Sequence, residues 1–454
     1  MNSCPHQSDW KQSIFSWVCR SFWGLTRGGA IAALVLLAAC QATETATDTE
    51  SPAADAAAGD AGEGEGLRLA TLMPLTGDLA QVGGPMADAA VLLEETVNAC
   101  GGVMGQDVEI LSGDTETNPA AAAAAMTQLA EVEGITGLIG AAASSSSSAA
   151  VDIAVRNEVV MISPASTSPV FTERAANGEF NGYWFRTAAP DTFQGDALAQ
   201  LASDQGFETV AVMSINNDYG NGLIQAFIPA FEALGGTVVN ADNPAVYSPD
   251  ATTFDSEVAA AFGDKPDAVL LIAYPETGSL IIKSAYEQGL MDGETQFILS
   301  EGLKTESLSD LVGKAADGSF IVSGVIGTAP SAAGPAMDYF SELYQAKYNR
   351  EPGIYAPNTW DAAAVLVLAA EAAQDTSGAA IQAQVREVAN APGQPVTDVC
   401  EALDLIRQGE DIDYQGASGT IDFNENGDVV GAYDVWTIND DGALEVKSTI
   451  NVGG

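Results

Sequence analysis

The chain has 454 residues, too long for one ordinary domain and suited to two lobes with full cores. Its 62 acidic residues against 16 basic ones give a formal net charge of −46, so nucleic acid and anionic membrane surfaces are poor partners and a solvated acidic coat is the simplest reading. The one histidine, His6, lies in an N-terminal stretch that reads as a removable signal. Its loss excludes a Ser-His-Asp triad, a His-ligated zinc and a histidine general base from the mature chain.

That stretch has Lys11, Arg20 and Arg27 ahead of an apolar run over residues 30–39, which ends Leu37-Ala38-Ala39-Cys40. The run is too short to span a bilayer as a stable helix. It resembles a bacterial lipoprotein signal over residues 1–39, which implies that Cys40 becomes the lipid-modified N-terminus; an ordinary signal peptide with an incidental cysteine is the alternative. Residues 40–66 are acidic and lack any aromatic, Leu, Ile or Val, so they read as a disordered tether. Cys4 and Cys19 leave with the signal. Cys100 and Cys400 remain, and in an exported chain they suggest one disulfide, with two separate buried thiols as the alternative.

From Leu67 onward, strand-like and helix-like stretches alternate. LRLATLM (67–73) reads as a buried strand, 85–98 as a helix stopped by Gly101-Gly102, and VEILSGD (108–114) as a strand. Asn118-Pro119 opens a helix, ITGLIG (135–140) is a strand, a helix runs to Arg156, and VVMIS (159–163) is a strand. The pattern restarts with strands at 209–214, 235–241, 267–274 and 295–300, separated by helices over 219–234, 253–262 and 277–288. Helices near 335–348, 358–373, 379–390 and 397–407 follow, and a short strand pair closes the chain around 425–427 and 440–442. The fold class is therefore α/β: two Rossmann-like lobes with parallel sheets covered on both faces, and a cleft at the carboxyl ends of the strands.

Five serines, 144–148, sit where a strand ends and a helix begins. A helix start has backbone N–H groups without partners and a positive dipole end, so GAAASSSSS reads equally as an anion cradle or as plain capping with surface serines. DFNENGD (422–428) begins like a calcium loop, but its twelfth position would be Tyr433 where a bidentate Glu is needed, so it reads as a turn between strands.

Six segments in chain order carry a wider likeness: LMPLTGDLAQVGG (72–84), VNACGGVMGQDVEI (97–110), LIGAAASSSSSAAVDIA (138–154), VMISPASTSPVFT (160–172), NNDYGNGL (216–223) and SEGL (300–303). Through them the chain from Leu67 to about Val446 resembles the leucine/isoleucine/valine-binding protein family, the substrate-binding components of branched-chain amino acid ABC transporters with a type I periplasmic-binding fold. The resemblance implies that an amino acid's carboxylate is held by Ser144, with Ser145 beside it, and by Thr167. It implies that the ammonium goes to the Ala165 carbonyl, the Thr167 hydroxyl, Glu301 and Tyr274. Matching side-chain pocket positions are Val82, Ala142, Ala143, Tyr219 and Tyr355, with Trp360 and Asp361 near the same wall. None of the matched pocket positions is Lys or Arg, which argues against an acidic ligand side chain.

The expected organisation is lobe 1 over 67–187 and 326–430, and lobe 2 over 188–325 and 431–454, with crossings near Thr187, Ile326 and Gly431. The expected function is a non-enzymatic, cofactor-free and metal-free binding protein, exported and lipid-anchored through Cys40, monomeric. It would deliver an aliphatic amino acid to ABC permease subunits. A sensor lipoprotein of the same fold, a binder of amides or other small solutes, and a carboxylate-type enzyme centred on Glu301 are the alternatives.

Overall fold

The computed structural model describes residues 66–452; the expected signal, Cys40 and nearly all of the tether lie outside the described residues. The first lobe begins β1 (Arg68–Met73), α1 (Ala80–Ala99), β2 (Glu109–Asp114), α2 (Pro119–Glu131), β3 (Gly137–Gly140), α3 (Ser144–Arg156), β4 (Val160–Ser163), α4 (Val170–Ala176) and β5 (Trp184–Arg186). The five strands form one sheet in the order β2-β1-β3-β4-β5, every pairing parallel. Strands β3 and β4 are buried at every position, as expected of strands covered on both faces. Asn118 caps α2, accepting from the Ala120 and Ala121 N–H groups, with Pro119 in the first turn.

The chain then enters a second sheet through α5 (Asp191–Asp204), β6 (Thr209–Ile215), α6 (Asp218–Ala233), β7 (Thr237–Val238), β8 (Ala245–Tyr247), α7 (Asp255–Phe262), β9 (Ala268–Ile272), α8 (Pro275–Glu287), β10 (Gln296–Leu299), a 3-10 turn at Glu301–Leu303, α9 (Leu308–Val312) and β11 (Ile326–Pro330). It returns to the first lobe with α10 (Met337–Tyr348), α11 (Ala356–Ala373), α12 (Gly378–Ala389), β12 (Gln394–Val396), α13 (Val399–Arg407) and β13 (Ile412–Tyr414). Finally β14 (Ala432–Ile438) and β15 (Leu444–Asn451) join the second sheet, whose order is β15-β14-β11-β10-β9-β6-β7 with β8 also on β6; β14 pairs antiparallel with both β11 and β15. Helix α11 carries Ala362 to Ala370 without solvent exposure, because its sequence is apolar all round and it is packed among α1, α12, α13 and the first sheet. Cys100, just past α1, and Cys400 in α13 are joined by a disulfide with 5.8 Å between Cα atoms, linking segments 300 residues apart.

Three departures from the sequence reading stand out. Ile326–Pro330 is a strand of the second sheet, paired with β10 and β14, so the middle crossing comes after Pro330 and not near Ile326. Residues 425–427 form a turn in a loop, not a turn between strands; the closing hairpin turns at 440–442 alone. Helix α5, together with α4, β5, β8 and β11, has no counterpart in the pattern read from the sequence.

Candidate functional site

The carboxyl ends of both sheets face one cavity. After β1 come Leu79 and Val82; after β3, Ala142, Ala143 and Ser144; after β4, Ala165; after β6, Tyr219; after β9, Tyr274; after β10, Glu301 and Gly302. Ile354 and Tyr355, ahead of α11, complete the wall. The free space is about 30 Å³, roughly the room of one or two waters. No Lys or Arg lines it. Among the described residues no group of three or more His, Cys, Asp or Glu could hold a metal ion.

The serine run settles into two roles, neither of them capping. The N-cap of α3 is Ala143, which has no side-chain cap. The first backbone bond is Ser147 N–H to Ala143 O, so the N–H groups of residues 144–146 precede the helical ladder, at its positive end. Ser144 lines the cavity, and its Oγ accepts from the Ser168 N–H (3.3 Å). Ser145 turns away into a separate cleft of about 490 Å³ with Asp78 and Asn217. Ser147 is structural: its hydroxyl meets Ser166 Oγ (2.7 Å) and, with Ser163 and Ser166, donates to the Ala141 carbonyl. Small hydroxyl side chains suit this crowded junction because each satisfies a buried carbonyl without adding bulk.

Thr167 is fully buried and does not line the cavity, and its Oγ1 lacks a hydrogen-bond partner. Its loop is held from behind. Arg186 Nη1 donates to the Ser166 and Ser168 carbonyls (3.0 and 2.9 Å), straddling Thr167, while Arg186 Nε pairs with Asp428 at 2.6 Å. Both charged partners are essentially inaccessible to solvent. Asp428, the last residue of the calcium-like motif, is therefore a buried counter-ion.

The opposite wall is acidic. Glu301 accepts from Gln194 Nε2 (2.6 Å), and burial pushes its carboxyl up to about 7, partly offset by the Tyr219 hydroxyl and Gln194. Asp191 is fully buried, and neither of its carboxylate oxygens has a partner of good hydrogen-bond geometry, although the Thr167 hydroxyl offsets part of its raised pKa. Burial raises Asp191 well above the usual carboxylate range, and the Glu301 carboxylate adds to the rise. The Tyr355 hydroxyl and Gln194 Oε1 are likewise buried and unpartnered. Tyr219 stacks on Tyr274 with centroids 5.7 Å apart, and Asn217 Nδ2 donates to the Tyr274 hydroxyl. Tyr355 is held at φ 63°, a conformation that a bulky residue adopts at a cost, which sets its ring against the cavity.

Val82, Ala142, Ala143, Ser144, Ala165, Tyr219, Tyr274, Glu301 and Tyr355 thus line one cavity, whereas Ser145 and Thr167 do not. Trp360 and Asp361 are also off it. Asp361 is consumed by bonds from the Tyr414 hydroxyl, the Ala417 and Ser418 N–H groups and the Ser418 hydroxyl, and Trp360 packs on Tyr339 and Phe340. Asp191 and Gln194 were missed because α5 was missed. The sequence did carry a signal: Pro190 before Asp191, then apolar residues at 193, 197, 198 and 201 at helical spacing. A second chamber of about 750 Å³ shares Val82, Ile354 and Tyr355 with the first and contains Lys304 and Arg350.

Residues 86–441 match the family model described as the receptor family ligand binding region. The chain is 26% identical over 401 residues to the chemotactic signal transduction system substrate-binding protein BasB of Halobacterium salinarum, covering 86% of this chain and 91% of that one. It is 29% identical over 258 residues to the Leu/Ile/Val-binding protein of Escherichia coli K12, covering 56% and 66%. Among solved structures, the leucine-binding protein LivK of Thermotoga maritima superposes with a TM-score of 0.71 at 26% identity, over 85% of this chain and 99% of that one. These relatives are named for what they bind and not for a reaction, and they agree with the likeness to leucine/isoleucine/valine-binding proteins read from the sequence.

Proposed function

The chain belongs to the family of receptor ligand binding regions, and from that premise we propose that it is an extracytoplasmic substrate-binding protein that captures a free aliphatic α-amino acid between its lobes. One observation carries the reading: an apolar-walled cavity has an uncapped helix start at Ser144 on one side and the buried carboxyl of Glu301 on the other, with the unpartnered carboxyl of Asp191 buried off its lining. The α-carboxylate sits on the α3 N-terminus with Ser144, and Thr167 reaches it only if its hydroxyl turns toward the cavity. The ammonium takes the Ala165 carbonyl and Glu301, with Asp191 and the Tyr219 hydroxyl completing its surroundings. Leu79, Val82, Ala142, Ala143, Ile354 and Tyr355 receive the side chain. Burial raises both acids, and an ammonium group brought by the ligand would favour their ionised forms, so a cationic group suits this wall. Closure follows because only the closed form lets both walls touch one ligand.

Thermal melting against leucine, 4-methylpentanoate (no amine) and isoamylamine (no carboxylate) tests the reading. Leucine alone should raise the midpoint, by mass action. A rise with the amine-free acid would remove the acidic wall from recognition.

Anchoring through Cys40 would keep the loaded protein at the membrane, where an ABC permease takes the ligand. A second role is favoured by the 26% identity to the chemotactic substrate-binding protein BasB over 86% of the chain: the closed form reports to a signalling partner. Loss of amino acid uptake in cells lacking the protein would support transport; intact uptake with lost chemotaxis would support sensing.

A further inference from the structure

Helix α8 lacks a side-chain cap from its own sequence. Its N-cap is Tyr274, whose side chain makes no cap, and its first residue is Pro275; the first helical backbone bond is Gly278 N–H to Tyr274 O. The Thr277 N–H at the third position is thus an orphan donor within its lobe. The missing cap arrives from the other lobe. Asp78, in the loop between β1 and α1, accepts the Thr277 N–H at Oδ1 (2.9 Å) and the Thr277 hydroxyl at Oδ2 (2.7 Å). This is what an N-cap aspartate does for its own helix, here done across the cleft with a full negative charge at a positive helix end. The Tyr247 hydroxyl, 3.2 Å from Thr277 Oγ1, fixes the threonine from its own side. Among the described residues, the side-chain hydrogen bonds that span the cleft converge on Asp78. The lobes also meet closely at Gly222 of α6. A Cβ there would fall 2.8 Å from Pro169 Cδ and 2.9 Å from Ser168 Oγ of the first lobe.

We propose that Asp78 is the closure latch of this protein: by capping α8 in trans it stabilises the closed form, and it sets ligand affinity without touching the ligand. The cap exists only when the lobes are together, so its free energy belongs entirely to closure. A residue that favours the closed state raises apparent affinity by the fraction of closed form it adds. The proposal rests on the cleft being a ligand site, but the latch itself is measurable without any ligand.

The test is small-angle X-ray scattering of the ligand-free full chain as wild type, Asp78→Ala, Asp78→Asn and Thr277→Val, with Gly222→Ala as a steric wedge that props the lobes apart. Asp78→Ala should widen the scattering envelope toward that of Gly222→Ala. Asp78→Asn and Thr277→Val each keep one of the two bonds and should fall between. Leucine affinity of Asp78→Ala should drop by about five- to tenfold, the worth of a charged cap. Wild-type scattering from Asp78→Ala and Thr277→Val would overturn the latch, as would a lower melting midpoint with unchanged scattering, which marks a merely local cap. Should Asp78→Ala not fold, Thr277→Val and Asp78→Asn decide. If leucine fails to bind the wild type, the ligand reading falls while the scattering still judges the latch.

Discussion

The two walls of the cleft are built from opposite chemistry. The first lobe contributes backbone N–H groups and small side chains: Ala142, Ala143, Ser144 and Ala165 carry no charge, and the one nearby cation, Arg186, is spent on Asp428 and on carbonyls behind the loop. The second lobe contributes Glu301 and the phenols of Tyr219 and Tyr274, with Asp191 buried off the lining. Under the proposed reading, a neutral donor surface facing an acidic one would orient a zwitterion in one direction only, because the reversed ligand would put a carboxylate on Glu301. The walls also differ in how they are held. The donor wall is stapled from below by an ion pair; the acidic wall keeps its strain for the ligand to relieve.

The largest expected effect breaks that staple. Asp428→Ala leaves the Arg186 guanidinium buried and unpaired, and should cost about 3–5 kcal/mol of stability in urea unfolding. Replacing both partners, as Arg186→Met/Asp428→Leu, should recover much of that loss while leaving the Ser166–Ser168 carbonyls without their clamp. The double variant should therefore fold better than Asp428→Ala yet bind leucine worse than wild type. If it binds normally, the guanidinium does not shape the donor wall.

Next is the acidic wall itself. Glu301→Gln keeps the shape and removes the charge, and should weaken leucine binding by about 10- to 100-fold in calorimetry, the worth of a hydrogen bond to a charged group. Unchanged affinity would take Glu301 out of ammonium recognition.

The pH profile sharpens the same contrast with two opposite slopes. Burial raises the Glu301 carboxyl from the ordinary 4.5 of a free glutamate to about 7. The folded ligand-free protein then holds more protons than the unfolded chain between those values. Its stability from this group is full below about 4.5 and is lost as pH rises through about 7. Ammonium binding needs the ionised form, so leucine affinity should rise up to about tenfold per pH unit below 7 and level off above it. Melting curves of the free protein and calorimetric titrations over pH 5–9 check both slopes. Glu301→Gln should weaken both slopes, leaving only what Asp191 contributes.

Much of this was legible in the sequence, for physical reasons that differ by element. Strands such as residues 137–140 and 268–272 are covered on both faces, so their apolar runs announce them and their carboxyl ends locate the cleft. Helix α5 was harder to read: its apolar spacing is present, but two of its polar residues face inward. Asp191 and Gln194 are buried in the site, which blurs the amphipathic pattern that betrays a helix. The middle crossing was misplaced because β11, reading IGTAP, is short and ends in proline, the composition of a loop. Asp78 gave no signal at all, since the helix it caps lies some 200 residues away in another lobe.

The smallest expected effects separate two neighbouring serines that composition cannot tell apart. Ser144 and Ser145 are identical residues on one helical turn, but a 100° rotation per residue sends their side chains to different cavities. Ser144→Ala removes a hydroxyl that faces the cavity and takes the Ser168 N–H, and it should weaken leucine binding by about five- to tenfold, the net worth of an ordinary hydrogen bond. Ser145→Ala changes a side chain on the far cleft beside Asp78 and Asn217, and affinity should stay within about twofold, because alanine keeps the backbone N–H and the helix. Equal losses from both substitutions would mean that the carboxylate lies across the helix axis and not on the Ser144 face, and the donor wall would have to be redrawn around the whole first turn of α3.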